Sequence, residues 1–451
     1  MNRRFDEAVW SGVERRLADV ERYIPDAPAW RSSTDTETAP TVSFRLGSAF
    51  GRRTAPLSRR ARLVRVLVVV GALLLLALAA IFAGSRPREE STPSDPFGPF
   101  GVLRGSDGNS QAVLLPDGRV LIVSGGWSGP EGTAVGRADA WTLDGGVVTV
   151  DAPRTARVNP SVTLLLDGRV LVAGGYGGPY QYASTAIRAS EIWDPETATF
   201  TPTGSMSTGR VGHTATLLAD GRVLVIGGSG PDGVQESAEV WDPATGQFEP
   251  AGALLNRRSD HASVLLPEGG VLLPEGGVLV AGGRDGSGDG VGGVEIWSPT
   301  TGTFSEATTF IDRPPHVSAT RLLDGRVLIA GEFIAGGFSG VMVQRWPGGG
   351  EGQPTTMSRP RDGHAATLLA NGSVLITGGG PTGTGEALSS AELWDPTSAT
   401  FRAATPMLAP AARHAAILLP DGRVLIVLDA SGPDGFVAPF VYEPGKIEAI
   451  E

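Results

Sequence analysis

The sequence lacks cysteine altogether and holds a single lysine, Lys446, among its 451 residues. Without cysteine the chain has no disulfide bond, no thiolate metal site and no thiol nucleophile. Histidine and tyrosine are also scarce, at five residues each. The formal net charge of -11 argues against broad nucleic-acid binding, so no nucleic-acid partner is expected.

Glycine and proline are abundant, at 64 and 34 residues, which indicates a chain with many turns. A hydrophobic content of 41% argues against a disordered chain. The charge is divided unevenly along the sequence. Residues 1–95 carry 15 arginines and 11 acidic residues, whereas the rest of the chain has a net charge of -15.

This division of charge coincides with a long apolar run, VLVVVGALLLLALAAIFAG, at residues 66–84. As a helix it would span about 28 Å, close to the ~30 Å hydrocarbon core of a bilayer. Arginines cluster before it, so the positive-inside rule places the N-terminus in the cytoplasm and the C-terminal bulk outside. We therefore expect a single-pass protein of the cell membrane that contacts the lipid bilayer through this run. A cleaved signal peptide is the alternative, but the 65 residues before the run make an unusually long leader.

The segment before the apolar run contains one periodic stretch, residues 5–24, whose apolar residues recur at steps of three or four. This spacing predicts an amphipathic helix. The helix could bind a cytoplasmic partner, lie on the membrane surface or be solvated without a partner. The predicted domains are a cytoplasmic segment (1–62), a transmembrane helix (63–84), a stalk (85–99) and a large C-terminal domain (100–451).

The C-terminal domain repeats one pattern seven times, in which an Asp-Gly-like turn leads through a Val- and Leu-rich run towards a Gly-Gly pair. The copies begin at Asp117, Asp167, Asp220, Glu275, Asp324, Asn371 and Asp421. Successive starts are 47 to 55 residues apart. The longest separation contains a tandem duplication of LLPEGGV, at 265–271 and 272–278.

Each copy contains four short apolar runs separated by turn residues, and the third run ends in a large aromatic residue. These aromatic residues are Trp141, Trp193, Trp241, Trp297, Trp346, Trp394 and Tyr442. No copy has room for a helical crossover between its runs. The pattern predicts an all-β fold, a seven-bladed β-propeller of four-stranded antiparallel blades. In such a fold, neighbouring blades cover each other's apolar faces and the aromatic residues fill the space between them.

The Gly-Gly pairs, each followed by a spaced tryptophan, resemble the kelch repeat family, including the kelch domain of galactose oxidase-like proteins. The pairs lie at 125–126, 174–175, 227–228, 282–283 and 378–379. The resemblance covers about residues 100–451. It implies a propeller closed by strands from both chain ends, so that 446–451 or 97–103 would complete the last blade. The pairs are lost at Gly331-Glu332 and Leu428-Asp429, where irregular blades are expected.

Arginine recurs near the start of the first run of most copies. The arginines are Arg157, Arg210, Arg258, Arg313 and Arg361. Starts of inner strands lie near one mouth of a propeller channel, so these residues are predicted to form a ligand site for carboxylates or phosphates. The resemblance implies the same option, since kelch adaptor domains contact acidic ligands through arginines in a similar place. Alternatively, each arginine pairs with a carboxylate or with loop carbonyls of a neighbouring blade.

The histidines all fall at one repeat position, which favours a structural role over a metal or catalytic centre. They are His213, His261, His316, His364 and His414. The copper-radical centre of galactose oxidase requires a tyrosine cross-linked to cysteine, so that activity is not expected here. With no other catalytic motif in the sequence, the chain is predicted not to be an enzyme, and a hydrolase or lyase is the least favoured reading. No cofactor is predicted.

One loop resembles half of a calcium-binding loop, because Asp285, Ser287 and Asp289 precede a glycine at the spacing of oxygen ligands. The position of the bidentate glutamate holds Ile296, and Glu295 is one residue short. A flexible loop is therefore the favoured reading, and no metal site is predicted.

Taken together, these patterns predict a membrane-anchored, extracytoplasmic propeller that acts as a binding module for a protein or glycan ligand. The alternative is a transmembrane sensor, in which the propeller detects an external ligand and the helix at 5–24 engages a cytoplasmic regulator.

Overall fold

The computed structural model describes a set of segments within the C-terminal domain: residues 103–104, 110–128, 133–144, 146–177, 186–267, 276–309, 313–333, 338–344, 355–382, 384–428, 436–437 and 439–443. The predicted cytoplasmic segment with its helix at 5–24, the transmembrane helix (63–84) and the stalk (85–99) lie outside these residues. The described part of the chain contains no helix that is long and apolar enough to cross a bilayer.

The first described strand, β1 (Leu103–Arg104), lies outside the blades and pairs antiparallel with a short strand at Phe436–Val437. The first three four-stranded blades follow along the chain. Blade 1 is β2 (Gln111–Leu114), β3 (Val120–Ser128), β4 (Thr133–Trp141) and β5 (Val147–Thr149); blade 2 is β6 (Ser161–Leu164), β7 (Val170–Ala173), β8 (Ser190–Asp194) and β9 (Thr199–Pro202). Blade 3 is β10 (Thr214–Leu217), β11 (Val223–Ile226), β14 (Ser237–Asp242) and β15 (Gln247–Ala253), with a small hairpin of β12 (Ser229–Gly230) and β13 (Gly233–Val234) between its second and third strands.

The other three four-stranded blades have the same strand order. Blade 4 is β16 (Ala262–Leu266), β17 (Gly277–Ala281), β18 (Gly293–Ser298) and β19 (Thr303–Thr309); blade 5 is β20 (Val317–Arg321), β21 (Val327–Phe333), β22 (Phe338–Gln344) and β23 (Thr355–Thr356). Blade 6 is β24 (Ala365–Leu368), β25 (Val374–Thr377), β26 (Ala391–Asp395) and β27 (Thr400–Ala404).

The seventh copy forms a smaller sheet. Its strands are β28 (Ala415–Leu418), β29 (Val424–Val427) and β31 (Phe440–Tyr442), and β30 (Phe436–Val437) pairs instead with β1. The prediction of seven four-stranded blades is therefore wrong. Within the described residues six blades have four strands, and the last copy contributes a three-stranded sheet. Leu103 lies opposite Val437, so residues near the start of the domain do meet its last copy, but they do so outside that sheet.

The first strands of the sheets form a closed ring. Each of β2, β6, β10, β16, β20, β24 and β28 contacts the next, and β28 contacts β2. Their residues are mostly half-buried, whereas the second strands are fully buried. This is the arrangement of a β-propeller, with the first strands around a central channel and the sheets radiating outwards.

The turn between the first and second strands is a tight five-residue connection, seen for example at 115–119. The Gly118 amide donates to the Leu115 carbonyl, and Gly118 has φ of 86°, a left-handed conformation that glycine adopts without strain. Asp117 also forms an ion pair with Arg119 in this turn. The Asp-Gly signal was therefore read correctly as a hairpin turn, and it marks one end of the channel, called here the turn end.

The core is divided among the interfaces between neighbouring sheets, as expected for units too small to bury their own apolar faces. At one such interface, Trp193 of blade 2 packs with Leu121 and Val123 of blade 1. Trp141 packs in the same way on the three-stranded sheet, and Trp394 on blade 5. The predicted role of the tryptophans is thus confirmed at these positions.

Blade 5 departs from this rule. In the other sheets, the residue opposite the first valine of the second strand is the large aromatic residue, as for Val223 and Trp241. In blade 5, Val327 lies opposite Gln344, not Trp346. The assignment of Trp346 to the aromatic position was therefore wrong by two residues, because the third strand of this blade has a different register. The core between blades 4 and 5 contains no tryptophan among its described residues.

The Gly-Gly pairs end the second strands where two chain segments approach closely. Gly227 has φ of 57°, and a Cβ atom there would lie 2.5 Å from the Arg258 carbonyl oxygen. Both the left-handed backbone and the close contact require glycine.

Candidate functional site

Four of the five predicted ligand-binding arginines lie inside the blades. Arg157, Arg210, Arg258 and Arg361 have no exposed surface. Each guanidinium forms an ion pair with a glutamate of the third strand of its own blade; the partners are Glu191, Glu239, Glu295 and Glu392, at 2.5–3.0 Å. The structure therefore places these four side chains within the blades, each paired with a glutamate, and not at the channel mouth. Ligand binding by these arginines stays a prediction.

The arginines also hold the ends of the blade strands together. Nη1 of Arg210 donates to the carbonyl oxygens of Gly227 and Ser237, which end the second strand and begin the third. Glu239 in turn accepts hydrogen bonds from the amide and hydroxyl of Ser207. One buried ion pair thus satisfies several groups that would otherwise be buried without a partner. Burial lowers the pKa of Arg210, and the pairing with Glu239 opposes that shift.

The fifth arginine, Arg313, is exposed and stands out of register. The glycine that follows the second strand of one blade identifies the arginine position of the next blade. A Cβ atom added at Gly227 would meet the Arg258 carbonyl of blade 4, and a Cβ atom added at Gly282 would meet the Pro314 carbonyl of blade 5. Pro314, not Arg313, therefore occupies the arginine position in blade 5. A ligand contact by Arg313 itself stays a prediction.

Arginine and glutamate are present or absent together in six of the copies. Blades 2, 3, 4 and 6 hold both. In blade 5 the two positions are Pro314 and Met342, and in the seventh copy they are Ala411 and Phe440, as the strand register shows. A buried charge without its counter-charge is strongly unfavourable, which explains why neither residue occurs alone in these copies.

Four histidines connect neighbouring sheets. Nε2 of His213 lies 2.9 Å from the Ser161 hydroxyl of the preceding blade, and Nε2 of His261 lies 2.9 Å from the Thr214 hydroxyl. His364 and His414 make the same kind of bond, at 2.8 and 2.7 Å. The structural role predicted for these four histidines agrees with these contacts.

Their environment predicts a pH effect on stability. Burial, together with the Arg210 charge, lowers the pKa of His213 to about 3, and burial lowers the pKa of His414 to about 4. Below pH ~6.5 these histidines become protonated in the unfolded chain but stay neutral in the folded one. The free energy of unfolding therefore falls by about 1.4 kcal/mol per pH unit for each histidine. This loss extends down to the lowered pKa of the folded state.

We expect the free energy of urea unfolding to fall between pH 7 and 5.5, a range above the usual carboxylate titrations. His414→Gln should make this fall less steep, while His414 and His213 replaced together should flatten it further. Equal stability at pH 7 and 5.5 would contradict a neutral, buried state of these histidines.

The fifth histidine does not share the common position. In blade 5 the position of the other histidines is held by Val317, which lies opposite Gly331. Val317 is the side chain that a Cβ atom at Gly282 would meet, just as a Cβ atom at Gly227 would meet His261. His316 therefore precedes the histidine position by one residue. It occupies the loop position held elsewhere by Asn159, Gly212, Asp260, Gly363 and Arg413. The expectation that all five histidines are equivalent is wrong for His316.

These loop positions form a ring around the channel at the end opposite the Asp-Gly turns, called here the mouth. Neighbouring loops are joined there, since the Asp260 amide donates to the Gly212 carbonyl and the Arg413 amide to the Gly363 carbonyl. Asp260 and Arg413 have φ of 56° and 58°, a strained left-handed backbone for residues other than glycine.

Four charged or titratable side chains converge at the mouth, and we call Arg284, His316, Asp362 and Arg413 the mouth cluster. Nδ1 of His316 lies 2.6 Å from Oδ1 of Asp362, and Nε of Arg284 donates to Nε2 of His316 over 3.4 Å. Burial raises the pKa of Asp362, but the contact with His316 and the charges of Arg413 and Arg284 outweigh it and lower the pKa overall. Asp362 is therefore an ionised carboxylate held among cations.

The mouth cluster was missed in the sequence because its members occupy three different repeat positions. The sequence signal that could have revealed these residues is that each differs from the residues at the same position in other blades. Arg284 follows a Gly-Gly pair where Ser229 and Gly380 stand in other blades, and Arg413 stands where blades 3 and 6 have glycine.

In the loop considered for calcium binding, the Asp285 carboxylate is bonded to backbone amides of the same loop. Oδ1 of Asp285 accepts hydrogen bonds from the amides of Ser287 and Asp289. Across the described segments, no three of the histidine, aspartate and glutamate side chains are grouped so that they could hold a metal ion.

No protein-family model matches this sequence, and no curated protein matches it. Among solved structures, the chain is similar to one described as a novel fungal alcohol oxidase with catalytic diversity among the AA5 family, in complex with copper. The TM-score is 0.60 at 17% identity, over 77% of this chain and 76% of that chain. At this identity the likeness shows a shared β-propeller fold.

This comparison corrects the prediction that the chain is not an enzyme, because a similar propeller is an oxidase. The residues present nevertheless do not fit a copper centre. The sequence has no cysteine, no group of three ligand side chains occurs among the described residues, and four of the five histidines bind hydroxyl groups between the sheets. No oxidase step can be derived from these residues.

Proposed function

We propose that this chain is a membrane-anchored, extracytoplasmic β-propeller that acts as a binding module for a protein or glycan ligand, with the ligand at the mouth. The membrane location rests on the apolar run at 66–84 and on the arginines before it. The kelch resemblance of the Gly-Gly and tryptophan pattern is part of the same proposal.

One observation supports the mouth as the ligand site: the departures from the repeat gather there. Repeat positions that only build the blades, such as the buried Arg–Glu pairs, recur from blade to blade. The mouth cluster instead brings together residues that no other blade has at the same positions. Local rules of a fold are most often broken where function requires it.

A steric block of the mouth tests the proposal. Ala412 is exposed beside Gly363, whose added Cβ would lie 3.6 Å from the Ala412 Cβ. We expect the full-length chain in detergent to bind members of an array of glycans and peptides, and Ala412→Trp to lose that binding without any change in charge.

The matched control is Leu166→Trp, because Leu166 is exposed at the turn end of the channel. This variant should bind as the wild type does. The proposal would fail if the wild type binds nothing on the array or if both tryptophan variants bind equally well.

A further inference from the structure

We propose that the mouth cluster binds the carboxylate of a uronic acid unit in an acidic glycan. This inference rests on the proposed function, and it assigns to that site a ligand class and the residues that recognise it.

The charges of the cluster favour a single negative charge. Arg284 and Arg413 each carry a positive charge and Asp362 a negative one. These three charges sum to one positive charge, and Nε2 of His316 accepts a hydrogen bond from Nε of Arg284.

Arg413 is the residue best placed to meet a ligand. Its side chain is exposed, and it forms no ion pair within the described segments. A guanidinium presents paired donors in one plane, which match the two oxygens of a carboxylate. Asp362 contacts His316, so the guanidinium of Arg413 is left accessible to a ligand from solvent.

A carboxylate fits this site better than a phosphate, because a carboxylate carries one negative charge and neutralises the cluster. A phosphate monoester carries close to two at neutral pH and would leave an excess negative charge beside Asp362.

The surroundings fit a sugar better than a peptide. In the part of the chain that the structure describes, the ring positions at the mouth hold polar residues or glycine, namely Asn159, Gly212, Asp260, His316, Gly363 and Arg413. Asp260 offers a carboxylate to sugar hydroxyls, and its charge, after burial, raises the pKa of the nearby Tyr176. A docked peptide would require apolar pockets for its side chains or a free strand edge. Each first strand is the inner edge of its sheet, and it packs against the first strands of the two neighbouring sheets.

The experiment measures binding of a trigalacturonate probe to the full-length chain in detergent, with the methyl-esterified trisaccharide as the neutral match. We expect the ester to bind at least ten-fold more weakly than the acid. Arg413→Gln and Arg284→Gln should each weaken acid binding about ten-fold or more, which is the loss of a charge-assisted hydrogen bond. Arg169→Gln at the turn end is the control, and it should bind as the wild type does.

Equal binding of acid and ester, or unchanged binding by both mouth variants, would overturn the inference. Binding of a glutamate-rich peptide without binding of the trisaccharide would overturn it too, and would assign the mouth to a protein ligand. If array ligands bind at the mouth but are all neutral, the proposed function stands and this inference falls. Circular dichroism and thermal unfolding establish that each variant is folded.

Discussion

Replacing Arg210 with alanine is expected to lower the free energy of unfolding by about 3–5 kcal/mol, the cost of leaving one member of a buried ion pair without its partner. Glu239 would be left without its counter-charge in a site where its side chain is nearly inaccessible to water. The carbonyl groups of Gly227 and Ser237 would lose their donor as well. Urea unfolding of the full-length chain measures the effect.

The control is Arg313→Ala, which removes an exposed arginine that lies one residue from the equivalent position. It should change the free energy of unfolding by no more than about 0.5 kcal/mol. A similar loss for both variants would show that the Arg–Glu pairs do not stabilise the blades.

The seventh copy suggests a rescue, since it holds Ala411 and Phe440 where blade 3 holds Arg210 and Glu239. The double variant Arg210→Ala/Glu239→Phe should therefore be more stable than Arg210→Ala alone. Recovery should be partial, because Ser207 would lose the carboxylate that accepts its amide and hydroxyl hydrogens. A double variant that is less stable than the single one would contradict this account.

Truncating Trp193 to alanine is the second change with a large expected effect, about 3–5 kcal/mol, because it opens a cavity between blades 1 and 2. Trp193 is completely buried and packs with Val123, Val170 and Val172. Val148→Ala, at an exposed position of the neighbouring blade, should cost less than about 0.5 kcal/mol.

Phenylalanine variants separate packing from hydrogen bonding at these positions. Nε1 of Trp193 is buried without a hydrogen-bond partner among the described residues, whereas Nε1 of Trp297 donates to the Ala251 carbonyl over 2.9 Å. Trp297→Phe should therefore cost about 1 kcal/mol more than Trp193→Phe. Equal costs would mean that the indole hydrogen bond adds nothing to stability.

Much of the propeller follows from local sequence alone. The alternation of apolar runs, Asp-Gly turns and Gly-Gly ends predicted the strands and hairpins. It did so because the pleat of a strand and the backbone of a turn depend on a few adjacent residues. The tryptophans were placed correctly in five copies for the same reason.

The errors arose where the register changed. Blade 5 holds Gln344 opposite Val327 and Pro314 in the arginine position, although Trp346 and Arg313 lie nearby in the sequence. Counting residues from an Asp-Gly turn cannot detect a shift of one or two residues. Such a shift is decided by which pairing buries the apolar face, and that depends on the neighbouring blade.

The sequence by itself determined a repetitive all-β domain, the turns between its strands and the buried aromatic positions. The tertiary structure alone decided which arginines are internal, since that depends on whether a glutamate of the third strand lies within reach. It alone also brought together Arg284, His316, Asp362 and Arg413, which come from four consecutive copies. These residues meet because the first strands close into a ring, and that closure places loops at one mouth that are far apart along the chain.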